Sequence, residues 1–317
     1  MIKVAVTELE YNKASGVFDH ASGFQCLPAP GTESELAGFI RKNGISYVIV
    51  GVDKYQDELY SSLPQGGVIA RFGIGHDGID KALAESRRIF CTNTPGALDN
   101  SVAECAIGLM LSAARHLAEC IADNRHGVWM NRVGSELYGK TLAIIGCGRI
   151  GSITAKIARD GFGMKIVGFD IFPPRDMSYI DSFHQDFART VEDADFVSLH
   201  IPDIPVNKNF INAERLAMMK QWAIVINTAR GGILDENALY DAVSNGVIGG
   251  AALDVFKTEP YSPQAPDKDL RFLPEILMTP HVGSSTQAAC NRMARAALRN
   301  IELCAMGHIE SMDLVNK

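Results

Sequence analysis

The stretch "TLAIIGCGRIG", residues 141–151, decides the fold of this chain. An apolar run leads into Gly146, Gly148 and Gly151 in the spacing G-x-G-x-x-G, and a helical segment follows. In such a turn the first glycine permits a sharp bend, the second lets the backbone approach a pyrophosphate, and the third lets helix and strand pack closely. The helix N-terminus offers N–H groups and the positive end of its dipole to the phosphates. The stretch therefore predicts a dinucleotide site.

An acidic residue ends the next strand. Asp170 stands about 20 residues past Gly151, where a carboxylate accepts hydrogen bonds from a ribose but repels a 2′-phosphate. NAD is therefore the predicted cofactor, although Arg175 stands close behind and weakens the preference over NADP. Arg149 and Ile150, which open the helix, complete the predicted cofactor turn.

Composition excludes several classes of protein. The chain has 317 residues, of which 47% are hydrophobic and 21% charged, as in an ordinary globular protein. Its net charge of −7 argues against binding to nucleic acid, and no apolar run approaches the ~20 residues of a membrane helix. The seven cysteines are scattered without a CxxC pair, so neither disulfides nor a metal site is predicted. With no export signal at the start, we expect a cytoplasmic protein.

Short β-branched runs alternate with helical stretches along most of the chain, a pattern typical of parallel sheets covered on both faces. The series of strands restarts at the glycine-rich stretch. The predicted fold is α/β, with two doubly wound parallel-sheet domains. A Rossmann NAD-binding domain at residues 100–285 is inserted into a flavodoxin-like substrate domain, which is split between residues 1–99 and 286–317.

One long helix is predicted over residues 99–126. Asp99 is a plausible N-cap and Gly127 a plausible stop. The segment is apolar on more than one face, whereas a helix at the surface of a domain has one narrow apolar stripe. We therefore expect this helix to lie between domains or between subunits.

Charged residues follow three successive strands of the second series. Arg230 follows "VINTA", Glu259 lies beyond "ALDVF", and His281 follows "ILMTP". In open α/β sheets ligands bind beyond the carboxyl ends of the strands. An arginine between small residues can hold a carboxylate with its planar fork. A carboxylate beside one imidazole nitrogen fixes the tautomer and stabilises imidazolium, which leaves the other nitrogen free to exchange a proton.

Several motifs together resemble the D-isomer-specific 2-hydroxyacid dehydrogenase family, which includes the phosphoglycerate dehydrogenases. The resemblance runs from about residue 67 to residue 300 and is carried by "RFGIGHDGID", "NTPGALDNSVAE", "GKTLAIIGCGRIG", "NTARGGILDE", "ALDVFKTEP" and "TPHVGSST". It implies that Arg230 binds the substrate carboxylate and carbonyl, that Glu259 polarises His281, and that His281 is the general acid and base.

The resemblance also implies further ligand contacts. Asp254 is expected near the nicotinamide carboxamide, and the loop at 71–75 is expected to hold the substrate carboxylate through backbone N–H groups. The remaining cofactor positions are His200, Pro202, Thr228 and Gly283, and the substrate positions in the loop are Phe72, Gly73, Ile74 and Gly75. A homodimer through the 99–126 region is also implied.

These expectations predict an NAD-dependent oxidoreductase that transfers a hydride between NADH and C2 of a 2-keto acid, giving a D-2-hydroxy acid. Hydroxypyruvate and glyoxylate, a branched 2-keto acid or a sulfonated analogue all stay open as the substrate. In the phosphoglycerate dehydrogenases of the family, arginine and serine occupy the positions at which this chain has Gly51 and Val52. 3-Phosphoglycerate is therefore disfavoured as the substrate. The alternative from another class is an NAD-sensing regulatory protein of the corepressor type on the same scaffold.

Overall fold

The structure is a computed structural model, and it describes residues 1–174 and 176–316. Arg175, which weakened the preference for NAD, lies outside the described residues. The chain divides into two compact units. The smaller comprises Met1–Leu98 and Ser284–Lys317, and the larger comprises Asp99–Gly283. The domain boundaries predicted from the sequence lie within two residues of these divisions.

The strands within the described ranges are β1 Ile2–Thr7, β2 Phe24–Ala29, β3 Tyr47–Val50, β4 Val68–Arg71, β5 Phe90–Thr92, β6 Thr141–Ile145, β7 Lys165–Phe169, β8 Ser182–His184, β9 Phe196–Leu199, β10 Ile224–Asn227, β11 Gly250–Leu253 and β12 Ile276–Met278. The α-helices are α1 Glu8–Lys13, α2 Ser15–Phe18, α3 Glu33–Asn43, α4 Glu58–Ser62, α5 Lys81–Ser86, α6 Asp99–Ala114, α7 Leu117–Arg125, α8 Arg149–Phe162, α9 Phe187–Val191, α10 Ala213–Leu216, α11 Glu236–Ser244 and α12 Gln287–Ala305. The sequence pattern did not predict the short strands β2, β5 and β8.

The strands of the smaller unit form one parallel sheet, whose order among the described residues is β2-β1-β3-β4-β5. This is the order of flavodoxin-like folds. Its core packs α3 and α4 against the sheet through fully buried side chains such as Leu36, Ile40 and Leu59. The flavodoxin-like prediction is therefore confirmed.

The larger unit is a parallel sheet with the order β12-β11-β10-β9-β6-β7-β8 among its described residues. Counted from β6, its first six strands follow the Rossmann order 3-2-1-4-5-6. The chain reverses direction across the sheet between β6 and β9. Ligands bind beyond the carboxyl ends of strands at such a switch point, and the glycine-rich turn follows β6 there. The Rossmann prediction is confirmed.

The prediction of one helix over residues 99–126 is wrong. Helix α6 ends at Ala114, His116 takes a left-handed conformation with φ of 52°, and α7 begins at Leu117 at an angle of 65° to α6. The two parts differ in burial, because α6 packs into the core whereas α7 has no buried residue. Within the described residues no single helix is long and apolar enough to cross a membrane, and only this bent pair passes that test together.

Candidate active site

The turn between β6 and α8 has the geometry that its three glycines predict. Gly146 has a φ of 101°, and a Cβ there would lie 2.8 Å from the carbonyl carbon of His200. A Cβ on Gly151 would overlap the carbonyl oxygen of Gly146. Larger residues are therefore excluded at both positions, and strand and helix approach each other closely.

The same turn leaves room for a dinucleotide. No described atom beyond the adjacent residues lies within 4 Å of the place that a Cβ would take on Gly148. Arg149 and Ile150 open the first turn of α8, whose N–H groups have no intrahelical acceptor. Beyond β10, the hydroxyl of Thr228 is buried and has no hydrogen-bond partner among the described residues. A buried hydroxyl without a partner costs free energy unless a ligand or water completes it. These residues fit NAD.

Asp170 braces the glycine turn from the end of β7. Its Oδ2 accepts a hydrogen bond of 2.8 Å from the backbone N–H of Cys147, and its Oδ1 accepts one of 2.7 Å from Ile171. Each carboxylate oxygen has a further lone pair. The aspartate therefore holds the turn and keeps acceptor capacity for ribose hydroxyls.

His200 and Pro202 follow β9 at the same edge of the sheet. The ring Nε2 of His200 lies 2.9 Å from the hydroxyl of Ser198. Burial lowers the pKa of His200 to about 4, so its ring is neutral at neutral pH. The carbonyl of Pro202 accepts a hydrogen bond of 2.9 Å from the side chain of Asn207. The backbone of His200 thus lies against Gly146, and the His200 ring is uncharged.

Glu259 and His281 meet directly. Nδ1 of His281 lies 2.7 Å from Oε2 of Glu259, and each side chain is 31% exposed. Burial acts to raise the pKa of Glu259, but the hydrogen bond from His281, the N–H of Phe256 and the charges of His281 and Arg230 outweigh it and hold the pKa below its usual value. Glu259 is therefore a carboxylate at neutral pH, and Nε2 of the paired imidazole is left for a ligand.

Arg230 lies in a turn that Asn227 holds. Asn227 is fully buried at the end of β10; its side-chain amide donates to the carbonyl of Arg230 at 2.9 Å, and its Oδ1 accepts from the N–H of Ala229 at 3.0 Å. The guanidinium donates to the carbonyl of Ala229 at 2.6 Å. Its charge acts on Glu259, so the three predicted catalytic residues share one electrostatic environment.

Asp254 holds the segment that carries His281. Its buried carboxylate accepts hydrogen bonds from the hydroxyl of Thr279 at 2.6 Å, the N–H of Val282 at 2.8 Å and the N–H of Gly283 at 2.7 Å. Its carbonyl accepts from the N–H of His281 at 2.8 Å. In this structure Asp254 is thus a positioning residue for the histidine loop.

A second pair of contacts joins the Arg230 turn to the segment that carries Glu259. A Cβ on Gly231 would overlap the carbonyl carbon of Phe256, so the two segments lie backbone against backbone. Glu236, which is buried at the start of α11, accepts a hydrogen bond of 2.7 Å from the N–H of Lys257. Burial raises the pKa of Glu236, and the nearby carboxylates of Asp235 and Glu259 add to that effect.

Asn227 and Glu236 were not predicted from the sequence. An asparagine at the end of a buried strand was a usable signal, because a buried amide must find partners. Glu236 follows an N-cap aspartate, and in the sequence it resembles an ordinary acid of a first helical turn. Its contact with Lys257 joins positions distant in the chain, and no local pattern reports such a contact.

The predicted substrate loop lies in the smaller unit, after β4. The carbonyl of Gly73 accepts from the N–H of Thr94 at 3.0 Å, and the carbonyl of Ile74 accepts from the side chain of Asn93 at 2.8 Å. Among the described residues, the N–H groups of Ile74 and Gly75 have no acceptor. Phe72 is buried at the start of the loop. The two carbonyls are therefore hydrogen-bonded, whereas the two neighbouring N–H groups stay available to an anion.

Comparison with known proteins identifies the family. The family model described as "D-isomer specific 2-hydroxyacid dehydrogenase, NAD binding domain" matches residues 107–283, which is more than half of the chain. A glyoxylate reductase of Thermococcus litoralis is 39% identical over 280 residues, covering 85% of this chain and 83% of that protein. The chain belongs to the D-isomer-specific 2-hydroxyacid dehydrogenases.

Other members of the family extend the comparison. A D-3-phosphoglycerate dehydrogenase of Methanocaldococcus jannaschii is 37% identical over 91% of this chain, which spans 55% of that longer protein. The crystal structure of an NADPH-dependent glyoxylate/hydroxypyruvate reductase from Sinorhizobium meliloti, in complex with citrate, has a TM-score of 0.81, is 28% identical and covers 96% of this chain and 94% of its own. This dehydrogenase is thus a 2-keto acid reductase with NAD as cofactor, and the comparisons give no support to the regulatory alternative.

Proposed function

We propose that this dehydrogenase reduces glyoxylate and hydroxypyruvate, with NADH as the electron donor, to glycolate and D-glycerate. The relatives named above for these substrates support the choice among small 2-keto acids. The observation that carries the proposal is the hydrogen bond of 2.7 Å between Glu259 and His281, near Arg230. An acid and a guanidinium side by side are what the reduction of a carbonyl beside a carboxylate requires.

In the proposed mechanism Arg230 holds the substrate carboxylate and its carbonyl oxygen through its planar fork. His281, as imidazolium, donates the proton on Nε2 to that oxygen, while Glu259 stabilises the charged ring through Nδ1. When NADH is bound, it supplies the hydride to C2. Arg230 stabilises the negative charge that develops on oxygen, a contribution of about 3 kcal/mol for one donor of this kind.

In the smaller unit we assign the N–H groups of Ile74 and Gly75 to the substrate carboxylate. They are adjacent donors without an acceptor among the described residues, and the carbonyls beside them are already bonded. Glycine at 73 and 75 keeps side chains away from an approaching anion.

The test is NADH oxidation, followed by absorbance, with a panel of 2-keto acids. Glyoxylate and hydroxypyruvate are expected to exceed branched and sulfonated 2-keto acids in kcat/KM by at least about tenfold, and the hydroxypyruvate product is expected to be D-glycerate. A preference for a branched acid would overturn the choice of substrate, and formation of L-glycerate would overturn the proposed D-configuration of the product.

We also propose that the protein forms a homodimer through α7 and the segment that follows it. Leu117 and Ile121 lie one turn apart on α7 and are 45% and 52% exposed, and Trp129 is 91% exposed. Apolar side chains grouped in this way on a surface are typical of protein interfaces.

A further inference from the structure

Glu10 is a buried carboxylate in the smaller unit, outside the predicted catalytic set. It lies on α1, directly after β1, and is only 4% exposed. The hydroxyl of Thr7 donates to its Oε2, and the ammonium of Lys13, on a side chain that is 36% exposed, lies 3.6 Å from its Oε1. A carboxylate is rarely buried without a reason, because burial of a charge is costly.

The Glu10 carboxylate lies directly against Gly51, the residue that follows β3. A Cβ on Gly51 would stand 2.5 Å from Oε1 and 2.7 Å from Cδ of Glu10. Any side chain at position 51 is therefore excluded while Glu10 keeps its place. A negative charge occupies the position at which a side chain of residue 51 would begin.

This charge lies beside the predicted substrate loop. Val50 pairs with Arg71 in the parallel register of β3 and β4, and the N–H of Phe72 donates to the carbonyl of Val50 at 2.9 Å. Gly51 and Phe72 are thus neighbours across two strands that are about 4.8 Å apart. The loop from Phe72 to Gly75 and the Glu10 carboxylate lie at the same edge of the sheet.

A buried arginine, Arg71, lies at the same edge of the sheet as Glu10. Arg71 is buried under the loop, where its guanidinium donates to the carbonyl of Phe72. Burial raises the pKa of Tyr55. The charges of Asp53 and Glu10 raise this pKa further, whereas the charge of Arg71 lowers it, so Glu10 and Arg71 act on the same buried phenol. The Tyr55 hydroxyl has no hydrogen-bond partner among the described residues. At this edge, therefore, a buried guanidinium lies under the loop, and the Glu10 carboxylate, paired with Lys13, lies against Gly51.

We infer that Glu10 makes this enzyme discriminate against 2-keto acids that carry a second anionic group, such as a phosphate ester, in favour of acids that end in hydrogen or an uncharged hydroxymethyl group. The inference rests on the proposed function, because it takes the substrate carboxylate to be bound at Ile74 and Gly75. Glu10 and that loop lie at the same edge of the sheet, and charges act on one another over the ~8–10 Å before salt screens them. Repulsion by a buried carboxylate then penalises that substrate.

The test compares hydroxypyruvate with 3-phosphohydroxypyruvate, which differ only by the phosphate. Glu10→Gln keeps the volume and the acceptor for Thr7 but removes the charge. In the full-length variant, kcat/KM for the phosphorylated acid relative to hydroxypyruvate is expected to rise at least about tenfold, mainly through KM. Turnover of glyoxylate, which has no second group, is expected to stay within about threefold of the parent protein. The control is Glu8→Gln, the same change on the exposed face of α1, which is expected to leave the ratio unchanged.

A second variant tests the inference if Glu10→Gln folds poorly. In the double variant Glu10→Ala with Gly51→Arg, the first change removes the atoms that exclude a Cβ at position 51, and the second places a positive charge there. The ratio is then expected to rise by about a hundredfold or more. If the parent reduces hydroxypyruvate but the folded variants keep the parent's ratio of kcat/KM for the two acids, this inference alone is overturned. A parent that reduces neither hydroxypyruvate nor glyoxylate overturns the proposed function as well.

Discussion

His281 has a φ of 53°, a backbone conformation that few residues other than glycine adopt. Its N–H is bonded to the carbonyl of Asp254, the carboxylate of Asp254 binds the two following N–H groups, and its ring meets Glu259. Strained residues of this kind persist where the surroundings determine them, and they cluster at functional sites. At the residue scale, the position of the imidazole is therefore set by main-chain contacts as well as by its carboxylate partner.

The role of His281 predicts the result of replacing it by asparagine, which tolerates a positive φ better than alanine does. His281→Asn removes the proton donor, so kcat for hydroxypyruvate is expected to fall by about 10²–10⁴-fold. Binding of NADH, followed by its fluorescence, is expected to survive. His308→Asn, at an exposed histidine, is the control. Unchanged turnover in His281→Asn would refute the assignment.

The lowered pKa of Glu259 predicts a pH effect on activity. Glu259→Gln keeps the shape of the pair but no longer stabilises imidazolium, so the alkaline limb of the profile of kcat/KM for keto-acid reduction is expected to move to lower pH. The maximal kcat is expected to fall at least about tenfold. An unmoved alkaline limb would mean that Glu259 does not act on the proton donor.

The same pKa shift also has a consequence for stability. Because the folded pKa of Glu259 lies below its usual value of 4.5, the carboxylate stabilises the fold above that value, and the contribution is lost as pH falls through the folded pKa. At neutral pH the parent is therefore expected to have a higher free energy of unfolding than Glu259→Gln, and this difference should shrink in acid. Urea unfolding at several pH values measures it, and a difference that grew in acid would contradict the assignment.

At the scale of elements, the site of the larger unit consists of segments that follow β10, β11 and β12, three neighbouring strands of one sheet. Parallel pairing brings their carboxyl ends to one edge. Gly231 and Glu236 then join the first segment to the second, and Asp254 joins the second to the third. Each joining contact links positions far apart in the chain.

Gly231→Ala tests the contact between the first two segments. The added Cβ overlaps the backbone of Phe256, which cannot move without displacing the segment that carries Glu259. We expect a loss of about 1–3 kcal/mol of unfolding free energy and a fall in kcat of more than about tenfold. The matched control is Gly161→Ala inside α8, where no described atom beyond the adjacent residues and the backbone of the helix itself lies within 4 Å of the new Cβ. That change is expected to stabilise by about 0.5–1 kcal/mol. Equal effects of the two changes in urea unfolding would contradict the close approach.

At the scale of the whole molecule, the break at His116 separates two helices of different character. Helix α6 is a core helix of the larger unit, whereas α7 exposes its apolar side chains. The exposed apolar side chains of α7 are the main support for the proposed homodimer.

Ile121→Asp is expected to weaken that homodimer by at least about a hundredfold in its dissociation constant, because a charge would be buried at the interface without a partner. Sedimentation velocity over a range of concentrations measures the change. Val206→Asp, at a valine of the larger unit that is 80% exposed, is the control and is expected to leave assembly unaltered. A parent protein that sediments as a monomer at all concentrations would overturn the dimer.

The elements that the sequence predicted best are those with local signals. The glycine-rich turn needs the conformations and close approaches that glycine permits, so its spacing identifies the Rossmann strand, turn and helix. Alternation of apolar strands with helices indicates parallel sheets, because both faces of each strand must be covered. Short edge strands such as β2 and β8 were missed, since their residues are only partly buried and carry a weaker apolar pattern. The break at His116 was missed because the apolar pattern continues across it.

By itself the sequence determined the fold class, the cofactor turn and the candidate residues Arg230, Glu259 and His281, because each follows a strand whose end lies at the ligand edge of the sheet. Only the tertiary structure decided how they are held. The buried acids Glu236 and Asp254 bond to backbone N–H groups at positions remote in the chain, and Glu10 occupies the space beside Gly51. A pattern of neighbouring residues reports local conformation, whereas these contacts exist only after packing has brought distant segments within hydrogen-bond distance.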